Sequence, residues 1–154
     1  MYTYAVPQVD RVSFVSLVQT DVLHAEVVHT SQLRARVEQC LHSREPLAIV
    51  QAVSEYLPYL LGLYDCVLRD TILLRDDVHL TWHSMLVSSK FRLHGLLSEV
   101  CLMHMLYASS LRAEAATIVE ALGAYELGAH DRKACDDRLR VAIDLLCRAS
   151  GVCE

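Results

Sequence analysis

Residues 46–68, PLAIVQAVSEYLPYLLGLYDCVL, decide the fold. Ile49, Val53, Tyr56 with Leu57, Leu60, Tyr64, and Val67 with Leu68 recur at the spacing of an amphipathic helix. Pro46 stands at its start, where a missing N–H costs little. Pro58 falls inside and is expected to kink the helix, because proline removes a backbone donor and crowds the preceding turn.

Outward from this helix the period changes. In residues 71–82, TILLRDDVHLTW, the apolar Val78, Leu80 and Trp82 alternate with His79 and Thr81. That is the period of a strand, and Arg75, Asp76 and Asp77 supply turn chemistry before it, so a β-hairpin is expected here with Trp82 packed into the core. Next comes a long helix over residues 92–122, with Leu93, Leu96 and Leu97, Val100, Met103, Tyr107, Leu111, Ala115, Ile118 and Leu122 on one broad face. Residues 123–128 break it. Asp131 is placed to cap a last helix through Arg148, whose stripe is Leu139, Ala142 with Ile143, and Leu146. Toward the N-terminus, residues 32–42 follow Ser31 as one short helix, and residues 20–28 follow Thr20 as another. Residues 12–17 (VSFVSL) read equally as an extended segment or a helix start.

The expected fold is mostly α-helical, with antiparallel helices in tetratricopeptide-like packing and a short β-hairpin, although no internal repeat is present. Composition agrees. The 154 residues suit one domain, 53% are hydrophobic, and Gly (5) and Pro (3) are scarce. The net charge of −5 comes from mixed acids and bases with no basic stripe, so there is no electrostatic footprint for nucleic acid. The mean hydropathy of +0.27 is high for a soluble monomer and suggests apolar surface covered by a partner or by further chain.

Residues 93–111 nearly reach membrane-spanning length but carry His94, Glu99 and His104. A charge at the bilayer centre costs about 2.5–3.5 kcal/mol, so this stretch reads as a buried core helix. The N-terminus lacks the basic and apolar regions of a signal peptide. The six cysteines (Cys40, Cys66, Cys101, Cys135, Cys147 and Cys153) are scattered without a C-x-x-C pair, which fits reduced thiols in the cytosol. Cys40, Cys66 and Cys101 are expected to act as small buried hydrophobes.

Candidate chemistry is sparse. His79 and His83 share a strand face but lie too far apart to hold one ion without a third ligand. Cys101 and His104, with Glu99 nearby, form half a zinc site at most, and His24, Glu26 and His29 are similarly incomplete. No nucleophile elbow or Gly-rich phosphate loop is present. Glu99 is the odd residue: a carboxylate amid an apolar helix needs a partner, for which Arg92 or a backbone donor is the expectation. No catalytic, cofactor-binding or metal residue is assigned.

Three stretches resemble a known family in order and spacing. They are SEYLPYLLGLYDCVL (54–68), the strand ending LTWHSML (80–86), and GLLSEVCLMHMLYASSLRAEAA (95–116). Together they are similar to the N-terminal part of the BRO-one domain of Alix-type endosomal scaffolds. Trp82 stands at the family's strand tryptophan and Glu99 at the glutamate of the following helix. Residues 107–109 match its small-residue region, 113–116 its alanine-rich exit, and Ala149, Ser150 and Gly151 the end of a later helix. YLPYL (56–60) and VSF (12–14) place it nearest the ambient-pH signalling members. The family's asparagine is missing, with His104 or Met105 in that region.

The resemblance implies a non-catalytic endosomal adaptor that binds an ESCRT-III subunit in ambient-pH signalling or endosomal sorting. It would be cytoplasmic and recruited through partners to endosomes or plasma-membrane signalling foci. Residues 1–154 would be the N-terminal portion of a single BRO-one-like domain. In the family the ESCRT-III patch lies mainly on later helices, so no binding residue is carried over, and only the region of Leu146 and Val152 approaches its edge. Without the resemblance the residues support a generic helical protein-interaction module. A rival of another class is a small metal-dependent enzyme using Cys101 and His104, which metal analysis of the purified protein separates.

Overall fold

The computed structural model describes residues 7–19, 23–75, 78–83, 89–123 and 132–152. Along the chain these form β1 (Gln8–Val9), α1 (Phe14–Leu17), β2 (Val18–Gln19), α2 (His24–Ser43), α3 (Pro46–Leu68), β3 (Leu73–Leu74), β4 (His79–His83), β5 (Lys90–His94), α4 (Leu96–Gly123) and α5 (Arg132–Gly151). The long helices stack in sequence, α2 on α3, α3 on α4 and α4 on α5. The chain is mostly helical with a short hairpin, as the periodicity predicts.

Helix α3 runs unbroken through Pro58, with Ile49, Val53, Tyr56 and Leu60 each 0% exposed. Among the described residues it is the helix long and apolar enough to cross a membrane, yet it packs between α2 and α4 as a core helix. Helix α2 corrects the expectation of two short helices over residues 20–28 and 32–42. The apparent break at Thr30 and Ser31 is bridged, because both hydroxyls turn back onto the carbonyls of Glu26 and Val27, at 2.7 and 2.9 Å. The Ser31 hydroxyl also accepts the Phe14 N–H at 2.9 Å, tying α1 to α2. Residues 12–17 contain both of the forms left open, a loop and then the single turn of α1. Thr20 and Asp131, expected as caps, and residues 124–128 of the expected break lie outside the described residues.

The sheet has strand order β1–β4–β5, with β2 and β3 pairing separately. Val78, Leu80 and Trp82 are buried at 1%, 0% and 3% exposure, so the alternation and the buried tryptophan are as expected. The partner strand is not. Leu73 and Leu74 pair with β2, while β4 pairs antiparallel with β5, Trp82 opposite Phe91. The expected start of the long helix, residues 92–94, lies instead in β5, where Lys90, Arg92 and His94 alternate with Phe91 and Leu93 in a second period-two run. Gly95, at φ +79°, turns the chain out of β5 and into α4.

The main core gathers Phe14, Ile49, Val53, Tyr56, Leu60, Leu80 and Met103. A smaller cluster of Leu111, Ala115, Ala142 and Leu145 joins α4 to α5. On α5 the expected stripe is only partly inward. Ala142 and Leu145 are buried, but Leu139, Ile143 and Leu146 are 41%, 58% and 45% exposed. The reason is angular: among the described residues α5 packs chiefly on α4, and its apolar arc is wider than that contact.

Candidate functional site

Two charges sit on apolar helical stripes. Arg34 lies on the α2 face that buries Val27, Thr30, Val37 and Leu41, and Glu99 lies near the start of α4. They are 1% and 0% exposed, and they meet: Arg34 Nε donates to Glu99 Oε1 at 2.9 Å. Trp82 Nε1 donates to Glu99 Oε2 at 3.1 Å. Arg34 Nη1 donates to the Asp10 carbonyl at 2.9 Å. One buried cluster thus joins α2, α4, β4 and the end of β1. The carboxylate does have a partner, but it is Arg34 and Trp82, not Arg92, which is exposed on β5. Arg34 carried a readable signal, since a charge on one helix's apolar stripe calls for the opposite charge on another's.

Tyr56 of the YLPYL segment adjoins this cluster. Burial pushes its phenol well above the usual range, the nearby Glu99 charge adds to the rise, and Arg34 opposes it. The Tyr56 hydroxyl and Arg34 Nη2 are buried without a hydrogen-bond partner. The cluster therefore holds one ion pair and a phenol that stays neutral at neutral pH. This is an arrangement that pins elements together.

The sequence-flagged histidines and cysteines do not converge. Glu99 turns inward to Arg34, while Cys101 is exposed and His104 Nδ1 lies 2.8 Å from the Val100 carbonyl oxygen. Cys101 is therefore not the buried hydrophobe expected of it. Cys40 and Cys66 are half-buried, and both are free thiols. His29 packs edge-on against Tyr59 with ring centroids 4.7 Å apart. His79 does the same with His94 at 4.6 Å, and His83 pairs with the Asp10 carboxylate at 3.0 Å. That hydrogen bond is the main reason the Asp10 carboxyl sits below its usual range; burial opposes it, and the charges of His83 and Lys90 add to the lowering. Among the described residues no three His, Cys, Asp or Glu side chains are grouped to hold a metal.

Two apolar surface features of the described residues bear on binding. A groove of about 220 Å³ between α2 and α3 is lined by Leu23, Val27, Pro58, Tyr59, Leu63 and Ile72, among others. The second is the outer side of α5, where Leu139, Ile143 and Leu146 line up at i, i+4 and i+7. Of the region flagged at the end of that helix, Leu146 is exposed and Val152 half-buried.

No protein-family model matches the chain, and no solved structure matches it. One curated protein does: the pH-response regulator protein palC of Cryptococcus neoformans var. neoformans. The two are 28% identical over an alignment of 178 residues, which covers 99% of this chain and 36% of palC. The chain thus spans little more than a third of that relative's length. The described helices, hairpin and buried cluster lie in a chain that is similar to palC over nearly its whole length.

Proposed function

We propose that this chain is part of a non-catalytic adaptor in ambient-pH signalling, acting as a rigid helical scaffold that holds a protein partner. The observation that carries the reading is the end-to-end similarity to a pH-response regulator. A helical stack whose charged cluster serves packing, and whose last helix presents Leu139, Ile143 and Leu146 to solvent, supports it. An exposed apolar row at helical spacing suits a partner helix laid alongside it.

At finer detail, the reading is that residues 1–154 form the N-terminal portion of a BRO-one-like domain. Its partner is the filament-forming ESCRT-III subunit, met in the cytoplasm and held at endosomes or plasma-membrane foci. The contact is a groove to which α5 contributes an edge around Leu146, with most of the surface supplied by a longer form of the protein. The test is a pull-down of the purified ESCRT-III subunit on such a longer form. Retention is expected, and loss of retention removes the adaptor reading in favour of a generic helical interaction module. Stoichiometric zinc in the purified protein would instead revive the metal-enzyme reading.

A further inference from the structure

Among the described residues, strand β5 is the edge of its sheet, and its five residues are exposed or half-buried throughout. Its backbone alternation is fixed by one bond: Gly95 N–H donates to the Val78 carbonyl at 2.9 Å. Gly95 and Val78 are therefore a hydrogen-bonded pair, and the antiparallel register directs the backbone groups of Leu93 and Phe91 toward β4. Those of Lys90, Arg92 and His94 point outward. The β1 side agrees, because Thr81, which lies opposite Arg92, uses its carbonyl to accept the Asp10 N–H at 3.1 Å. The outward carbonyl of His94 is taken by the Ser98 hydroxyl at 2.7 Å. The amides of all three outward residues and the carbonyls of Lys90 and Arg92 face the edge that no described strand pairs.

Side chains add a code to this edge. Lys90, Arg92 and His94 lie on the outer sheet face, while Phe91, 47% exposed, and Leu93 lie on the core side. Beside them on β4 are His83, Thr81 and His79. Among the described strands and their ends, the acidic group on that outer face is Asp10. It lies on the far side of β4 and is already engaged by His83. A second copy of β5 fits poorly, since an antiparallel pair would set Lys90, Arg92 and His94 against their own kind.

We propose that the outer edge of β5 docks an extended peptide segment of a partner protein in which acidic residues alternate with apolar ones. The main chain of that segment extends the ladder, its acidic side chains lie beside Lys90, Arg92 and His94, and its apolar side chains cover Phe91. This surface is separate from α5 and does not depend on which partner α5 meets.

The test uses a labelled seven-residue peptide alternating valine and glutamate. Its comparison peptides have lysine for glutamate, or the same residues with the glutamates grouped together. Fluorescence anisotropy reads binding, and amide hydrogen exchange reads its place. The expected result is binding of the alternating acidic peptide alone, with slowed exchange at Lys90 and Arg92 and no change at Phe91 and Leu93. The exposed double variant Lys90→Glu/Arg92→Glu, its fold checked by circular dichroism, should bind that peptide about tenfold more weakly and accept the lysine peptide. Any of four results overturns the proposal: no binding of the acidic peptide, equal binding of the grouped peptide, undiminished binding by the variant, or protection elsewhere in the chain.

Discussion

With both oxygens of Glu99 held by Arg34 and Trp82, deleting any one of the three leaves a buried polar group without its partner. Glu99→Ala and Arg34→Ala should each cost about 3–5 kcal/mol, because each strands a buried charge. Trp82→Phe removes the donor but keeps most of the ring and should cost about 1–3 kcal/mol, whereas Trp82→Ala should cost about 3–5 kcal/mol. Denaturant titration of the set checks this. A double replacement, Arg34→Met with Glu99→Leu, should recover much of the loss, since no lone charge remains buried. Near-zero losses for the single variants would show the cluster to be solvated. Tyr56 adds a pH dependence. Its folded pKa is raised, so the unfolded chain gives up the phenol proton first as pH rises. Stability is therefore constant with respect to this group below about pH 10 and falls above it. Tyr56→Phe should remove that component of the alkaline decline, as read by thermal melts across the range.

At the scale of elements, three left-handed residues mark joints among the described residues. Arg44 at φ 59° ends α2, Asp70 at φ 55° follows α3, and Gly95 at φ +79° separates β5 from α4. An alanine at position 95 meets open space but must adopt a conformation unfavourable to L-residues, so Gly95→Ala should destabilise by about 1 kcal/mol. Arg44→Gly should stabilise by a similar amount, and opposite signs in one melting experiment are the check. The elements differ in how far the sequence revealed them. α3 and the Val78–Leu80–Trp82 alternation were legible because each is apolar at a single clean period. β5 was not, since Phe91 and Leu93 also continue the apolar spacing of α4, and only Gly95 separates the two periods. The union of α2 is hidden because Ser31, beside Thr30, reads as a helix start until the i−4 bonds of both hydroxyls are seen. Glu99 announced itself as odd. The signal at Arg34, a charge on an apolar stripe, is fainter, because α2 is polar overall and the partner glutamate lies 65 positions later.

For the molecule as a whole, the stacking of α2 to α5 leaves apolar side chains exposed on several elements, Leu47, Leu68 and Met105 among them, and on α5 it leaves the row Leu139, Ile143 and Leu146. The chain on its own should therefore self-associate with rising concentration, which light scattering reads directly. A stable monomer at high concentration would mean that this row needs no cover. The proposed adaptor role rests on the same surface. Its most direct test is a calorimetric titration of an amphipathic helix from the filament-forming ESCRT-III subunit. The helix is titrated into the 154-residue chain, a longer form extending past Glu154, and that form carrying serine at Leu139, Ile143 and Leu146. The account predicts clear binding by the longer form, weak or no binding by the short chain, and about tenfold weaker binding by the serine variant. Tight binding by the short chain, no binding by the longer form, or full affinity in the serine variant would contradict it.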